Sequence, residues 1–405
     1  MNNASYCVLA WKHLAIEPNG HLRPCCISQS TVTKPDGTPY NIGYDNIEDI
    51  VNSEYYLNLR AKMIKGEKEP GCYRCYLQEE RGGTSVRLMY NSYFSTRYPI
   101  RVDLKNVNYL DIRFGNLCNL KCRSCNPVNS SQFDKELKDM NGLAREFHEP
   151  LDSDINIWYT TDKFKENIKI LEQNVKLIYM TGGEPTLVEG NYELMESIIA
   201  QDRNKEVSLK FSTNLTKVTD RFLKLITQFK SVYILGSVEG VGAVQEYLRT
   251  PSNWAMIDKN IKKLLKVENV SVTITPTLQN SNLESVSDVI NYVEDINKSY
   301  GYKKVDIFPM ILDLPDYLHL KDLPLDYKKR CWDILENCLN NLQFDYPELL
   351  VRAKQIKFLC YQETDYTKNL LKFKQFAKLY DQHRNQSLRD INSNLADILD
   401  QLPEV

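Results

Sequence analysis

Three cysteines fall within eight residues, in Cys118-Asn-Leu-Lys-Cys122-Arg-Ser-Cys125, with the spacing C-x3-C-x2-C. Thiolates are soft ligands that take iron or zinc. Three of them leave one position of a four-coordinate ion, or one iron of a [4Fe–4S] cluster, open to another molecule. An iron left open in this way can hold a small molecule and pass it an electron. The intervening Asn-Leu-Lys and the following Asn126-Pro127 mark a loop rather than a core helix. A zinc site and three plain structural thiols are the alternatives at this point.

Two further groups carry chemistry. Thr181-Gly182-Gly183-Glu184-Pro185 puts paired glycines, which let a backbone approach a ligand closely, beside a carboxylate that accepts from an ammonium or hydroxyl group. Near the N-terminus, Cys7, Cys25, Cys26, Cys72 and Cys75 form a second group of thiols. Spacing alone does not separate a four-cysteine zinc site from a fully ligated iron–sulfur cluster there. The chain holds eleven cysteines, an odd number, in close pairs and triplets. That pattern favours metal over disulfides. Cys331, Cys338 and Cys360 lie among apolar residues and read as core.

The elements that must position these groups follow from periodicity. Residues 1–90 look irregular, with turn signals at Pro18-Asn-Gly20 and Pro35-Asp-Gly37 and one helix expected over 46–65. A small segment poor in regular structure needs a staple, and metal supplies one. From 106 to 312, short apolar strands alternate with amphipathic helices. The strands are expected at Asn108–Phe114, Val175–Met180, Val207–Ser212, Ser231–Leu235, Val270–Thr275 and Lys304–Pro309. Helices are expected at 130–147, 162–173, 188–200, 217–229, 253–267 and 283–299. Six such units predict an α/β fold with a parallel sheet, an incomplete (β/α)6 barrel of TIM-like type. Chemistry gathers at the C-terminal ends of such strands, where the cysteine triplet and the Gly-Gly-Glu-Pro segment both fall. Beyond 312 the chain reads as helical, with Leu388, Ile391, Leu395, Ile398, Leu399 and Leu402 as one apolar stripe. The division expected is 1–95, 106–312 and 313–405.

The C-x3-C-x2-C loop after the first of these strands, with Gly-Gly-Glu-Pro after the second, resembles the radical S-adenosylmethionine superfamily. The resemblance implies a [4Fe–4S] cluster on Cys118, Cys122 and Cys125 whose open iron chelates S-adenosylmethionine. Reductive cleavage then yields a 5′-deoxyadenosyl radical that abstracts hydrogen from a substrate carbon. It also implies that Gly182, Gly183 and Glu184 meet the methionine amino group. Ser212-Thr-Asn214 resembles the family's Thr-Asn signature, and Ser237-Val-Glu239-Gly240 its Ser-x-Asp-Gly ribose edge. Arg249 is then a partner for the methionine carboxylate, against a plain ion pair. Members often carry a bulky residue before the third cysteine, where this chain has Ser124. The spacing C-x12-G-x4-C from Cys7 through Gly20 to Cys25, followed by Cys72 and Cys75, resembles the auxiliary cluster domains called twitch or SPASM, placed here ahead of the barrel. One auxiliary [4Fe–4S] cluster on Cys7, Cys25, Cys72 and Cys75 is implied.

The whole chain narrows the function classes. It has 405 residues, 42% hydrophobic and 26% charged, as in globular proteins. A net charge of −2 gives no general attraction to nucleic acid. No apolar run is long enough to span a bilayer. Residues 1–7 lack the marks of a secretory signal, so a cytoplasmic location is expected. The expected function is a radical enzyme acting on an unidentified substrate, with a peptide or protein as the leading class. Such an enzyme draws on S-adenosylmethionine and an electron donor such as flavodoxin or ferredoxin. A non-catalytic iron–sulfur or zinc module on the same fold, and a radical enzyme acting on a nucleobase or small molecule, are the alternatives.

Overall fold

A computed structural model describes residues 5–80, 82–94, 99–153, 155 and 157–403. The strands are β1 (His13–Ile16), β2 (Leu22–Arg23), β3 (Tyr109–Ile112), β4 (Leu177–Met180), β5 (Ser208–Thr213), β6 (Ser231–Gly236), β7 (Val270–Ile274), β8 (Thr277–Leu278), β9 (Val305–Ile307) and β10 (Met310–Ile311). Eight of them form one sheet in the order β2-β1-β3-β4-β5-β6-β7-β9, and β8 and β10 form a second. The order has two ends, and helices alternate with the strands from β3 onward, so the βα array is that of a partial (β/α)6 barrel. All six expected strands are present, each within a few residues of its expected bounds.

The chain divides into two compact units. The first holds Met1–Leu117, Leu151–Ser212 and Lys224–Val232. In it, β1 pairs parallel with β3 in the register Ala15 to Asp111, while β2 closes a short antiparallel hairpin on β1. β3, β4 and β5 continue in parallel, Asp111 opposite Tyr179 and Tyr179 opposite Lys210. Leu110, Ile112, Ile178, Met180, Leu209 and Phe211 share one face and are no more than 3% exposed. Such a face suits crossover helices, and the helix Asp162–Glu172 buries Phe164, Ile168 and Leu171 while Glu189–Ala200 buries Leu194, Met195 and Ile198.

Two side chains tie the N-terminal segment to this unit. The Trp158 indole donates to the Pro18 carbonyl at 2.7 Å, and a Cβ at Gly20, whose φ is +83°, would fall 2.7 Å from that ring. Asn167 donates to the carbonyls of Ile42 and Asp45 and accepts from Ile47 N. The segment is less irregular than the sequence suggested. It contributes β1 and β2 to the sheet, and the helix expected over 46–65 is two helices, Ile47–Val51 and Glu54–Lys65, because Ser53 caps the second through Tyr56 N.

The second unit holds Cys118–Pro150, Thr213–Leu223 and Tyr233–Val405. β7 and β9 pair parallel, Val272 opposite Val305. The C-terminal region is helical: Leu325–Asn340, Pro347–Tyr361, Thr367–Arg384 and Ser393–Asp400. The expected stripe from Leu388 to Leu402 is broken, since Asn392 caps the last helix through Leu395 N and separates it from a short 3-10 turn at Leu388–Asp390. Cys331, Cys338 and Cys360 are buried, as the core reading expects.

Candidate functional site

The cysteine loop begins where the second unit begins. Cys118 and Cys122 pack with Leu120, and Cys125 lies against them. The loop is pinned by backbone rather than by regular structure. Lys121 N donates to Thr250 O at 2.7 Å and Arg123 N to Leu248 O at 2.9 Å, while Ser130 Oγ donates to Leu120 O at 2.6 Å and Ser131 Oγ accepts from Cys118 N at 3.1 Å. Burial raises the Cys122 thiol, and burial together with the neighbouring Cys122 and Cys118 pushes Cys125 up to about 12. Dry, mutually repelling thiols are poor thiolates on their own, and a metal that replaces the protons relieves both penalties. Among the described residues no three His, Cys, Asp or Glu side chains converge on a single ion. A four-iron cluster gives each thiolate its own iron, so its ligands need not converge on one point. The donor set fits such a cluster.

Arg249 links this loop to the segment after β6. Its Nε donates to Glu239 Oε1 at 2.9 Å and its Nη1 lies 3.6 Å from Cys122 Sγ. Glu239 is 1% exposed, and its other oxygen accepts from Thr277 N. Its own N–H donates to Gln245 Oε1 at 2.7 Å. Two residues that the sequence assigned separately to the cofactor are therefore bonded to each other, and one reaches a cysteine. Ser237 is half-buried, with its N–H on Thr213 O at 2.9 Å. Asn214 donates to Asn119 Oδ1 at 2.9 Å and accepts from Thr216, which braces the cysteine loop.

Sequence reasoning missed the clamp behind the loop. Arg123, between two of the cysteines, lies 3.8 Å over the Tyr247 ring and bonds Asp381 at 2.5 Å. Glu136 is held by Arg384 at 2.6 and 2.9 Å and by Lys121 at 2.7 Å. Arg123 inside the triplet was the one available signal, but its partner lies 258 residues away.

In the first unit, Glu184 N donates to Leu117 O at 2.8 Å, on the residue that precedes Cys118. Gly183 packs on the same stretch: a Cβ there would lie 2.3 Å from Leu117 O. Gly182 has φ +104° and would meet Arg113 Cβ at 2.9 Å. The paired glycines thus let two backbones of this chain approach each other. Glu184 is fully buried, and its carboxylate accepts from Thr186 N and Oγ1 at 3.1 and 2.6 Å. Ser212 Oγ shares a 2.6 Å hydrogen bond with Tyr179 OH.

Also in the first unit, Cys7, Cys25, Cys72 and Cys75 influence one another. Burial pushes Cys7 up to about 12, with Cys75 and Cys72 adding to the rise, and Cys25 is raised by burial and by Cys26, Cys7 and Cys72. Burial and Cys75 push Cys72 up to about 12. Gln29 N donates to Gly71 O at 3.0 Å, which draws the Cys25 and Cys72 segments together. Cys26 acts on Cys25 and is itself acted on by Asp111, Arg113 and Lys210.

Comparison with known proteins accords with this geometry. Residues 112–293 match the radical SAM superfamily, and residues 7–76 match SPASM, an iron–sulfur cluster-binding domain. The sporulation killing factor maturation protein SkfB of Bacillus subtilis is 25% identical over 196 residues, covering 47% of this chain and 42% of its own length. The chain therefore matches less than half the length of that curated relative. Among solved structures, anSMEcpe with bound AdoMet gives a TM-score of 0.37 at 17% identity, over 59% of this chain and 63% of that one. SuiB of Streptococcus suis bound to S-adenosylmethionine gives 0.37 at 13%, over 74% and 62%. No helix among the described residues is long and apolar enough to cross a membrane. Residues 112–293 thus form a radical SAM domain, with a SPASM iron–sulfur cluster-binding domain at residues 7–76 ahead of it.

Proposed function

We propose that the protein is a radical S-adenosylmethionine enzyme that modifies a peptide. The observation that carries the reading is the packed thiol triplet of Cys118, Cys122 and Cys125 on a loop whose preceding residue, Leu117, is bonded by Glu184 of the Gly-Gly-Glu-Pro turn. In this reading the three cysteines hold a [4Fe–4S] cluster, and Gly182–Glu184, Ser212, Asn214, Ser237, Glu239 and Arg249 border S-adenosylmethionine. Cys7, Cys25, Cys72 and Cys75 hold the auxiliary cluster, and Cys26 is left outside it. Residues 1–95 form the auxiliary domain, 106–312 the radical core, and 313–405 brace the cysteine loop. When bound, the three-cysteine cluster supplies the electron that splits S-adenosylmethionine to methionine and a 5′-deoxyadenosyl radical, which takes hydrogen from the substrate.

The chain's own residues have simpler tasks. Arg249 and Glu239 hold charge beside Cys122, and Arg123 fixes the loop so that its thiols present one donor set. A peptide is favoured as substrate because the relative SkfB is named for the maturation of a killing factor. An electron donor of the flavodoxin or ferredoxin type completes the scheme.

The test is anaerobic reconstitution followed by dithionite and S-adenosylmethionine, with chromatographic detection of 5′-deoxyadenosine. The expected result is its formation in the wild type and its loss in Cys122→Ala/Cys125→Ala. A reduced, cluster-loaded protein that forms none overturns the proposal.

A further inference from the structure

The two faces of β3, β4 and β5 differ in kind. One is the apolar face already described. On the other, Asp111, Tyr179 and Lys210 stand side by side in register. Two residues further along the strands, the same face carries Arg113 and Ser212. An α/β barrel normally fills this inner face with bulky branched side chains. Here it carries charges and hydroxyls, and Tyr179, Lys210, Ser212 and the nearby Cys26 are only half-buried.

No hydrogen bond joins the charges in this row, and Asp111 meets Arg113 only as a loose ion pair. Lys210 lies 4.9 Å from the Tyr179 ring centroid and makes no hydrogen bond or ion pair among the described residues. Asp111 is 0% exposed, and neither carboxylate oxygen has a hydrogen-bond donor. The Arg113 guanidinium is 3.8 Å away and is bound to Glu17. Strand spacing sets the Asp111 and Lys210 backbones about 10 Å apart, with the Tyr179 ring between them. A carboxyl without a donor inside a fold is costly, and a half-buried ammonium without a partner is open to an anion.

The place of the row gives it a use. At one end, Tyr109, Leu177 and Tyr179 belong to the apolar cluster that contains Cys25 and Cys7. At the other, β4 runs into the Gly182 turn. A molecule lying on this face spans from the auxiliary thiols toward the Gly182–Glu184 edge.

We infer that the inner face of β3–β5 is a substrate subsite for an acidic residue of a peptide. Its side-chain carboxylate pairs with Lys210, and its aliphatic stem lies on Tyr179. The inference rests on the peptide reading above and deepens it.

The experiment uses the full-length, cluster-loaded protein and three fluorescein-labelled heptapeptides. Each has three glycines on either side of a central glutamate, glutamine or lysine, and anisotropy gives the affinities. The glutamate peptide is expected to bind at least tenfold tighter than the other two. Lys210→Gln is expected to erase that preference and Lys210→Glu to shift it to the lysine peptide. Iron content and circular dichroism confirm that the variants fold, and Lys210→Gln carries the test if the reversal variant does not. Equal affinities for the three peptides, or no binding of any, overturn the subsite. Formation of 5′-deoxyadenosine without peptide is measured on the same wild-type preparation. Where it forms and no preference is seen, only the subsite falls; where it does not form, the radical reading falls with it.

Discussion

Arg249 and Glu239 show how little room single residues have around the cysteine loop. Glu239 is buried and Arg249 largely so, and removing the arginine strands the carboxylate at about 3–5 kcal/mol. Arg249→Gln alone therefore confuses folding with tuning, whereas Arg249→Gln/Glu239→Gln removes both charges together. A donor aimed at a ligand sulfur favours the more negative, reduced cluster. The double variant is expected to lower the reduction potential of the three-cysteine cluster by about 60 mV, equivalent to roughly 1.4 kcal/mol for one electron. Potentiometric titration followed by electron paramagnetic resonance reads it, and an unchanged potential refutes the assignment.

Asp111 supplies a pH prediction. Burial raises its carboxyl from 3.8 to about 6, with Arg113 acting in the opposite sense. The folded-state value is the higher one, so the ionised form costs stability. Below about pH 4 the group is protonated in both states, and the penalty grows until pH passes 6. Asp111→Asn is expected to stabilise the protein by up to about 3 kcal/mol above pH 6.5 and by little at pH 4. Denaturant midpoints of the two proteins at both pH values check it. An advantage that is the same at both pH values means the carboxyl is not the cause.

Elements differ in how plainly the sequence announces them. β5 alternates Ser, Leu, Lys, Phe, Ser, Thr, a period-two pattern that any strand search finds. β1, His-Leu-Ala-Ile, is buried on both faces, so no alternation marks it, and turn residues surround it. The helix over 46–65 was legible as apolar periodicity, but the Ser53 cap that starts its second half falls at no apolar position and leaves that pattern unbroken. The thiols were legible because metal chemistry restricts both type and spacing. The clamp was not, because an arginine and a glutamate far apart in sequence carry no mark of meeting.

That clamp is the contribution of the helix Thr367–Arg384. Burial pushes the Glu136 carboxyl up, yet Arg384 and Lys121 together hold it below its ordinary value. A depressed carboxyl stabilises the fold above the unfolded-state value of about 4.5 and loses that contribution as pH falls through the folded one. Arg384→Gln leaves a buried carboxylate short of a partner, at a cost of about 3 kcal/mol at neutral pH. The expected readout is a lower denaturation midpoint at pH 7, with the gap to wild type narrowing toward pH 3. A variant as stable as wild type at pH 7 excludes the clamp as a stabilising element.

At the scale of the whole molecule, the cysteine groups belong to different units: Cys7, Cys25, Cys72 and Cys75 to one, Cys118, Cys122 and Cys125 to the other. Two four-iron clusters give about eight irons per chain. Cys72→Ala/Cys75→Ala is expected to bring that to about four and to spare 5′-deoxyadenosine formation, as measured by iron and sulfide analysis beside product detection. Loss of zinc rather than iron from this variant contradicts an auxiliary iron cluster.

The parallel pairing of β1 with β3 also governs the order of assembly. A ribosome delivers β1 more than ninety residues before its partner, and no hairpin can form across that interval because the strands run the same way. Until β3 emerges, β1 lacks its parallel partner, and the four thiols wait beside an unfinished sheet. Iron delivered too early meets a flexible chain. On the proposed ligand set, insertion of the auxiliary cluster is therefore a late event, set by synthesis of the barrel's first strand.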